Sequence, residues 1–167
     1  MKALPLITTH CYLEHDGKFL MLHRVSKKDD VNRGKWIGVG GKFEEGEAPE
    51  ECIRREVMEE TGFELRSAKF RGTLTFIYDD KPPEYIFTYT STDFVGDDTV
   101  TPECDEGIFR WVNKEDLMGL ELWEGDRIML EYILKDREKP YSLKLIYNKN
   151  DELTEAWELS ERPVRIR

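Results

Sequence analysis

The segment that most constrains this chain is residues 41–63, GKFEEGEAPEECIRREVMEETGF. It reads as glycine, five residues, glutamate, seven residues, then Arg-Glu-Val-x-Glu-Glu-x-Gly-Phe. Its second half carries the punctuation of a helix. Pro49 suits the first helical position, where its missing N–H would have no partner anyway. Glu50 and Glu51 fall in the first turn, where the helix dipole favours anions. Thr61 and Gly62 close the segment, with Gly62 as a left-handed cap. Cys52, Ile53 and Val57 supply an apolar stripe for packing. Glu56, Glu59 and Glu60 stand at i, i+3 and i+4, so three carboxylates leave one face. Their mutual repulsion makes this a poor stability device. Hard cations such as Mg²⁺ take oxygen ligands, keep several waters and also ligate substrate phosphates, and the cluster fits that use.

A glutamate-rich helix is ordinarily a solvated face. Here two glycines, four glutamates and one arginine hold fixed spacings. At average usage of roughly 5–7 per cent each, a chance match at any start is on the order of one in 10⁸ to 10⁹. The segment resembles a complete Nudix box, the signature of the Nudix hydrolase superfamily, and covers 23 of the 167 residues. The resemblance implies an α/β fold, a Nudix-type α/β/α sandwich with a mixed central β-sheet. It also implies a phosphoric anhydride hydrolase acting on a nucleotide with Mg²⁺, or Mn²⁺ in its place.

Length and composition fit that reading. With 39% hydrophobic and 36% charged residues, 167 residues suit one domain with a real core. We expect it over 1–160, with 161–167 a flexible tail. The formal net charge of −10 disfavours nucleic-acid polymers and anionic membranes as partners. It also makes a cation more necessary if the substrate is a polyphosphate. Cys11, Cys52 and Cys104 are odd in number and form no CxxC pair, which predicts reduced thiols in a cytoplasmic protein. The N-terminal stretch has no long apolar core, and nothing approaches a membrane span.

Along the chain, residues 6–14 read as a strand, Asp16-Gly17 as a hairpin turn, and Phe19 to Leu22 as the second strand. Residues 26–35 are a polar loop. Trp36 to Val39 form a short strand leading into Gly40-Gly41 and the box helix. Residues 64–78 and 84–95 read as long strands, and Gly107 to Val112 as another. Asn113 is placed to cap a short helix over 114–118. Residues 125–136 have helical spacing, with Ile128, Met129, Tyr132 and Ile133 on the apolar side. Tyr141 to Tyr147 and Leu153 to Leu159 read as a final hairpin.

Hydrolysis of a diphosphate linkage needs neutralised phosphate charge, an activated water and a stabilised leaving group. Carried over from the family, Glu56, Glu59 and Glu60 hold the metals, and Arg55 keeps carboxylates in place through Glu59 or Glu47. A backbone carbonyl at Gly40 or Gly41 is a further ligand, since glycine lets the backbone come close. Lys42 either touches phosphate or is an exposed lysine. The base is a box glutamate or one from a later loop, where Glu106 leads and Glu103 competes. Arg24 matches a position that meets substrate phosphates, while His23 reads as structural. Trp123 and Asp126, at the start of the last helix, resemble the base-binding pair of MutT-type oxidised-purine triphosphatases, for which 8-oxo-dGTP is the expected substrate. One position departs from the mammalian form: Ile37 stands where that form has an asparagine, so one base contact is absent. Alternatives are an ADP-ribose or dinucleoside polyphosphate hydrolase, or a nucleotide-sensing module without turnover.

Overall fold

The strands alternate side chains across one large mixed sheet, and this splits the core into two layers. The computed structural model describes residues 3–98 and 101–167. Strand β1 (Leu6–His15) turns through Asp16 (φ 49°) and Gly17 (φ 71°) into β2 (Lys18–His23). Two positive φ values suit a hairpin whose twist matches its strands. Tyr12, Phe19 and Met21 face one core; Cys11, Leu13, Leu20 and Leu22 face the other.

The predicted strand at Trp36 is split at Gly38. β3 (Trp36–Ile37) pairs with β2, whereas β4 (Val39–Lys42) pairs with β1. The cause is a change of partner along β1. Thr8 to Cys11 pair with β4, and only Glu14 and His15 still pair with β2. Helix α1 (Pro49–Thr61) follows, then the long hairpin β5 (Glu64–Tyr78) and β6 (Glu84–Val95). β7 (Glu103–Cys104) and β8 (Gly107–Asn113) form a tight turn, and a 3₁₀ turn (Lys114–Gly119) leads to α2 (Glu124–Leu134). β9 (Tyr141–Tyr147), β10 (Leu153–Glu158) and β11 (Val164–Arg165) finish the chain. The strand order is β11-β10-β9-β5-β6-β1-β2-β8-β7. β1 with β6 and β5 with β9 are parallel; the other pairs are antiparallel.

α1 buries Cys52, Ile53 and Val57 against β4, β1 and β5, as its spacing predicts. Its ends are as read: Pro49 opens it, and Gly62 (φ 74°) closes it with its N–H on Met58 O at 2.9 Å. α2 buries Met129, Leu130 and Ile133 on the opposite face, against β9 and β10. This is the mixed-sheet α/β sandwich that the sequence implied.

Two local expectations differ from the structure, and one short strand went unread. The segment after Asn113 winds as 3₁₀, and Asn113 makes no capping bond; its amide reaches Asp116 Oδ2 at 3.2 Å. β7 carries only two residues, too short to leave an alternation. The tail expected to be loose contains β11, which pairs with β10, and Ile166 N donates to Ala156 O at 2.7 Å. Among the described residues, no helix is long and apolar enough to cross a membrane.

Candidate active site

Helical spacing places Arg55 where it can gather the box carboxylates. Its Nε and Nη2 donate to Glu47 at 2.5 and 2.9 Å, and its Nη1 donates to Glu56 at 2.9 Å and Glu59 at 3.2 Å. The hydrogen bonds from Arg55 hold the Glu47 carboxyl down to about 2. The same arginine donates to Lys42 O at 3.0 Å, which ties α1 to the end of β4.

Beside this cluster lies an open cavity of about 500 Å³. Its charged lining converges from separate elements: Arg24 from the end of β2, Lys42 beside Gly41 on β4, Glu56 and Glu60 from α1, Glu84 from β6, Asp30 from the loop before β3 and Glu106 from the β7–β8 turn. The glycines are required by close approach. A Cβ at Gly40 would meet Thr9 O at 1.8 Å, and one at Gly41 would meet the Glu56 carboxylate at 2.6 Å.

The charges here are poorly neutralised. Burial raises the Glu56 carboxyl. Burial, then Glu106 and Glu56, push Glu60 up to about 8. Glu60 Oε2 is buried with no hydrogen-bond partner among the described residues. Arg24 donates to Glu106 and, at 2.6 Å, to Asp30; burial works against its charge, but these two acids keep it protonated. Among the described residues, no three acidic, imidazole or thiol groups already converge as a closed metal cluster. The donor set nevertheless fits a hard cation, because the orphan Glu60 oxygen and the excess of carboxylates lack only a positive partner.

Of the sequence candidates, Arg24, Gly41, Lys42, Glu56, Glu60 and Glu106 meet in this cavity. Glu59 does not line it: its side chain is 57% exposed and turned to Arg55. Glu103 lies outside it as well. His23 stacks on Trp36, with ring centroids 4.4 Å apart, the structural use foreseen for it.

A narrow recess of about 40 Å³ opens from the cavity, and Trp123 and Asp126 line it. Trp123 is buried, its Nε1 donates to Asn32 Oδ1 at 2.9 Å, and Lys35 Nζ stands 5.3 Å from its ring centroid. Half-buried Asp126 makes no side-chain hydrogen bond among the described residues, and burial, then Glu84, push its carboxyl up to about 7. Sequence reasoning missed three residues here: His10, Asn32 and Glu84. His10 Nδ1 is buried without a partner among the described residues, and burial, then Arg24, lower the imidazole to about 4, which favours the neutral form. An alternation count on β1 could have flagged His10, on the Tyr12 side. Nothing local marks Asn32, which sits in a polar loop.

Comparison with known proteins decides the family. Residues 5–133 match the NUDIX domain. The chain belongs to the Nudix family. Its members hydrolyse phosphoric anhydride bonds and generally use a divalent metal, usually Mg²⁺. The Nudix hydrolase YvcI of Bacillus subtilis (strain 168) is 31% identical over 131 residues, 76% of this chain and 78% of that protein. The oxidized purine nucleoside triphosphate hydrolase of Mus musculus is 29% identical, over 66% of this chain and 70% of that protein. The crystal structure of the MutT protein from Bacillus halodurans superposes with a TM-score of 0.81 at 24% identity, covering 93% of this Nudix chain and 99% of its own.

Proposed function

We propose that this protein is a Mg²⁺-dependent nucleotide pyrophosphohydrolase, converting a nucleoside triphosphate and water to the monophosphate and pyrophosphate. Its best substrate in this reading is an oxidised purine deoxynucleotide such as 8-oxo-dGTP. One observation carries the proposal: the carboxylate cavity runs directly into the Trp123–Asp126 recess, so phosphates and base have adjoining places. The mouse relative's name, an oxidized purine nucleoside triphosphate hydrolase, supports the substrate class.

The roles follow from position. Glu56, Glu60 and the Gly41 carbonyl would hold the cation. Glu59, one turn from Glu56, joins them once it releases Arg55. Bound Mg²⁺, or Mn²⁺, supplies charge neutralisation for the phosphates and a more acidic water. Arg24 and Lys42 bind phosphate oxygens, and Arg55 orients the carboxylates around it. Glu106 is the candidate base, held by Arg24 at the cavity wall until substrate phosphates compete for that arginine. Asp126 accepts from the base, and Trp123 stacks on it after Lys35 moves aside. With three free cysteines, we place the protein in the cytoplasm, with small nucleotides rather than polymers or membranes as partners.

A second reading has its own support. An apolar cleft of about 290 Å³, lined by Leu6, Phe76, Tyr78 and Pro82, adjoins the recess through Glu84 and Phe76. A second ring of a dinucleoside polyphosphate, or the far ribose of ADP-ribose, would lie there. A sensing module without turnover fits less well, because the box glutamates are all present. The deciding experiment is a substrate panel in Mg²⁺, comparing kcat/KM for 8-oxo-dGTP, dGTP, ADP-ribose and a diadenosine polyphosphate. Highest turnover on ADP-ribose would overturn the triphosphate reading and leave the hydrolase class standing.

A further inference from the structure

The recess is too small for a whole base, so it takes an edge beside Trp123, and the rest of the ring extends into the adjoining cavity. Ile37, on its wall, offers no polar atom. Beside His10, three groups do. Asn32 Oδ1 is used by Trp123 Nε1 at 2.9 Å, which leaves the amide NH₂ as its free end. Its position is fixed from behind: Asn32 N donates to Asp30 Oδ1 at 3.0 Å, and Asp30 is held by Arg24 Nε at 2.6 Å. Glu84, the first residue of β6, accepts from Thr8 Oγ1 at 2.7 Å through Oε1 and keeps Oε2. Asp126, in the first turn of α2, keeps both oxygens. Two carboxylates in one recess repel, and burial raises both. A ligand edge that brings N–H donors relieves both costs at once, since an unpaired buried acceptor is expensive.

We propose that Asn32 and Glu84 are specificity-determining residues that, with Asp126, read a base edge carrying one carbonyl beside two N–H donor groups. That pattern belongs to the guanine-type edge, with its lactam oxygen, ring N–H and amino group. Asn32 donates to the oxygen, Asp126 accepts from the ring N–H, and Glu84 accepts from the amino group. An adenine edge presents one donor group beside one acceptor and leaves a carboxylate unmatched. This inference rests on the triphosphate reading.

The test compares kcat/KM for GTP and ITP, which share the lactam edge and differ only in the amino group. Wild type is expected to prefer GTP on the order of 10- to 100-fold, the usual worth of a hydrogen bond to a charged group. Glu84→Gln and Glu84→Ala should bring the ratio to within about 3-fold by losing GTP turnover while ITP turnover holds. Asn32→Asp keeps the acceptor for Trp123 and removes the donor, so GTP and ITP should fall together with the ratio kept. Equal turnover of GTP and ITP by wild type overturns the proposal without any variant. So does an unchanged ratio in both Glu84 variants, in which case Glu84 serves only Thr8. Wild type inert on every triphosphate but active on ADP-ribose is a different failure: the triphosphate reading falls, and this inference with it.

Discussion

Arg55 grips Glu47 with two nitrogens, at 2.5 and 2.9 Å, and spends its remaining N–H on Glu56, Glu59 and a β4 carbonyl. One cation thereby sets the direction of three box carboxylates. Removing a group that orients ligands commonly costs 10- to 100-fold in metal affinity or activity. Arg55→Ala should therefore raise the Mg²⁺ concentration at half-maximal rate by about that factor. Arg55→Lys should recover little, because one ammonium cannot replace the fork. Titrating activity with Mg²⁺ checks this; an unchanged titration in Arg55→Ala would make the arginine a plain surface pair.

Glu60 has a buried oxygen with no hydrogen-bond partner among the described residues. Its folded-state value is raised, from 4.5 to about 8. The stability it contributes is thus present below about 4.5 and lost as pH rises through about 8. In chelator, Glu60→Gln should melt higher than wild type at pH 9 and show less advantage at pH 5. Added Mg²⁺ should reverse the order, since only wild type gains the ligand. Melting curves with and without Mg²⁺ at both pH values decide it.

Asp126 follows the same sign, and burial is again the leading cause. Its carboxyl rises from 3.8 to about 7, first through burial and then through Glu84. Its contribution is present below 3.8 and lost as pH rises through about 7. Asp126→Asn should stabilise the protein more at pH 8 than at pH 5, by about 2 kcal/mol once solvent over a half-buried carboxyl is allowed for. Equal gains at both pH values would show that the carboxyl stays charged in the fold.

Trp123 is buried, and Lys35 stands over its ring. If a base stacks there, Lys35 must move. Trp123→Ala, where it still folds by circular dichroism, should raise KM by roughly 5- to 150-fold, the usual worth of a base–aromatic stack. Lys35→Ala should lower KM or leave it, and should not raise it. A higher KM in Lys35→Ala would make the lysine itself a substrate contact.

The box was legible because helix punctuation, apolar stripe and carboxylate spacing all lie within 23 residues. Pro49 and Gly62 mark the helix ends because each has a backbone reason to be there. The long strands 64–78 and 84–95 were legible for the same reason: extended runs bounded by turn residues. What the sequence hid is contact between distant segments. Asn32 and Trp123 meet across 91 positions, and Thr8 and Glu84 across 76. Polar residues in a loop or at a strand's first position look solvated until the fold brings them to a recess. Glu59 shows the converse, since helical spacing puts it on the carboxylate face while Arg55 draws its side chain away. β7 and β11, at two residues each, are too short to carry any pattern.

The most direct measurement is the rate and product of nucleoside triphosphate hydrolysis in Mg²⁺ by wild type and Glu60→Gln. Wild type should release pyrophosphate and the monophosphate. Glu60→Gln, folded by its melting curve, should lose roughly 10²-fold or more in kcat, as expected when a ligand charge is removed from transition-state stabilisation. A folded Glu60→Gln enzyme that keeps near wild-type kcat in Mg²⁺ would contradict the assignment of this cavity as the catalytic centre.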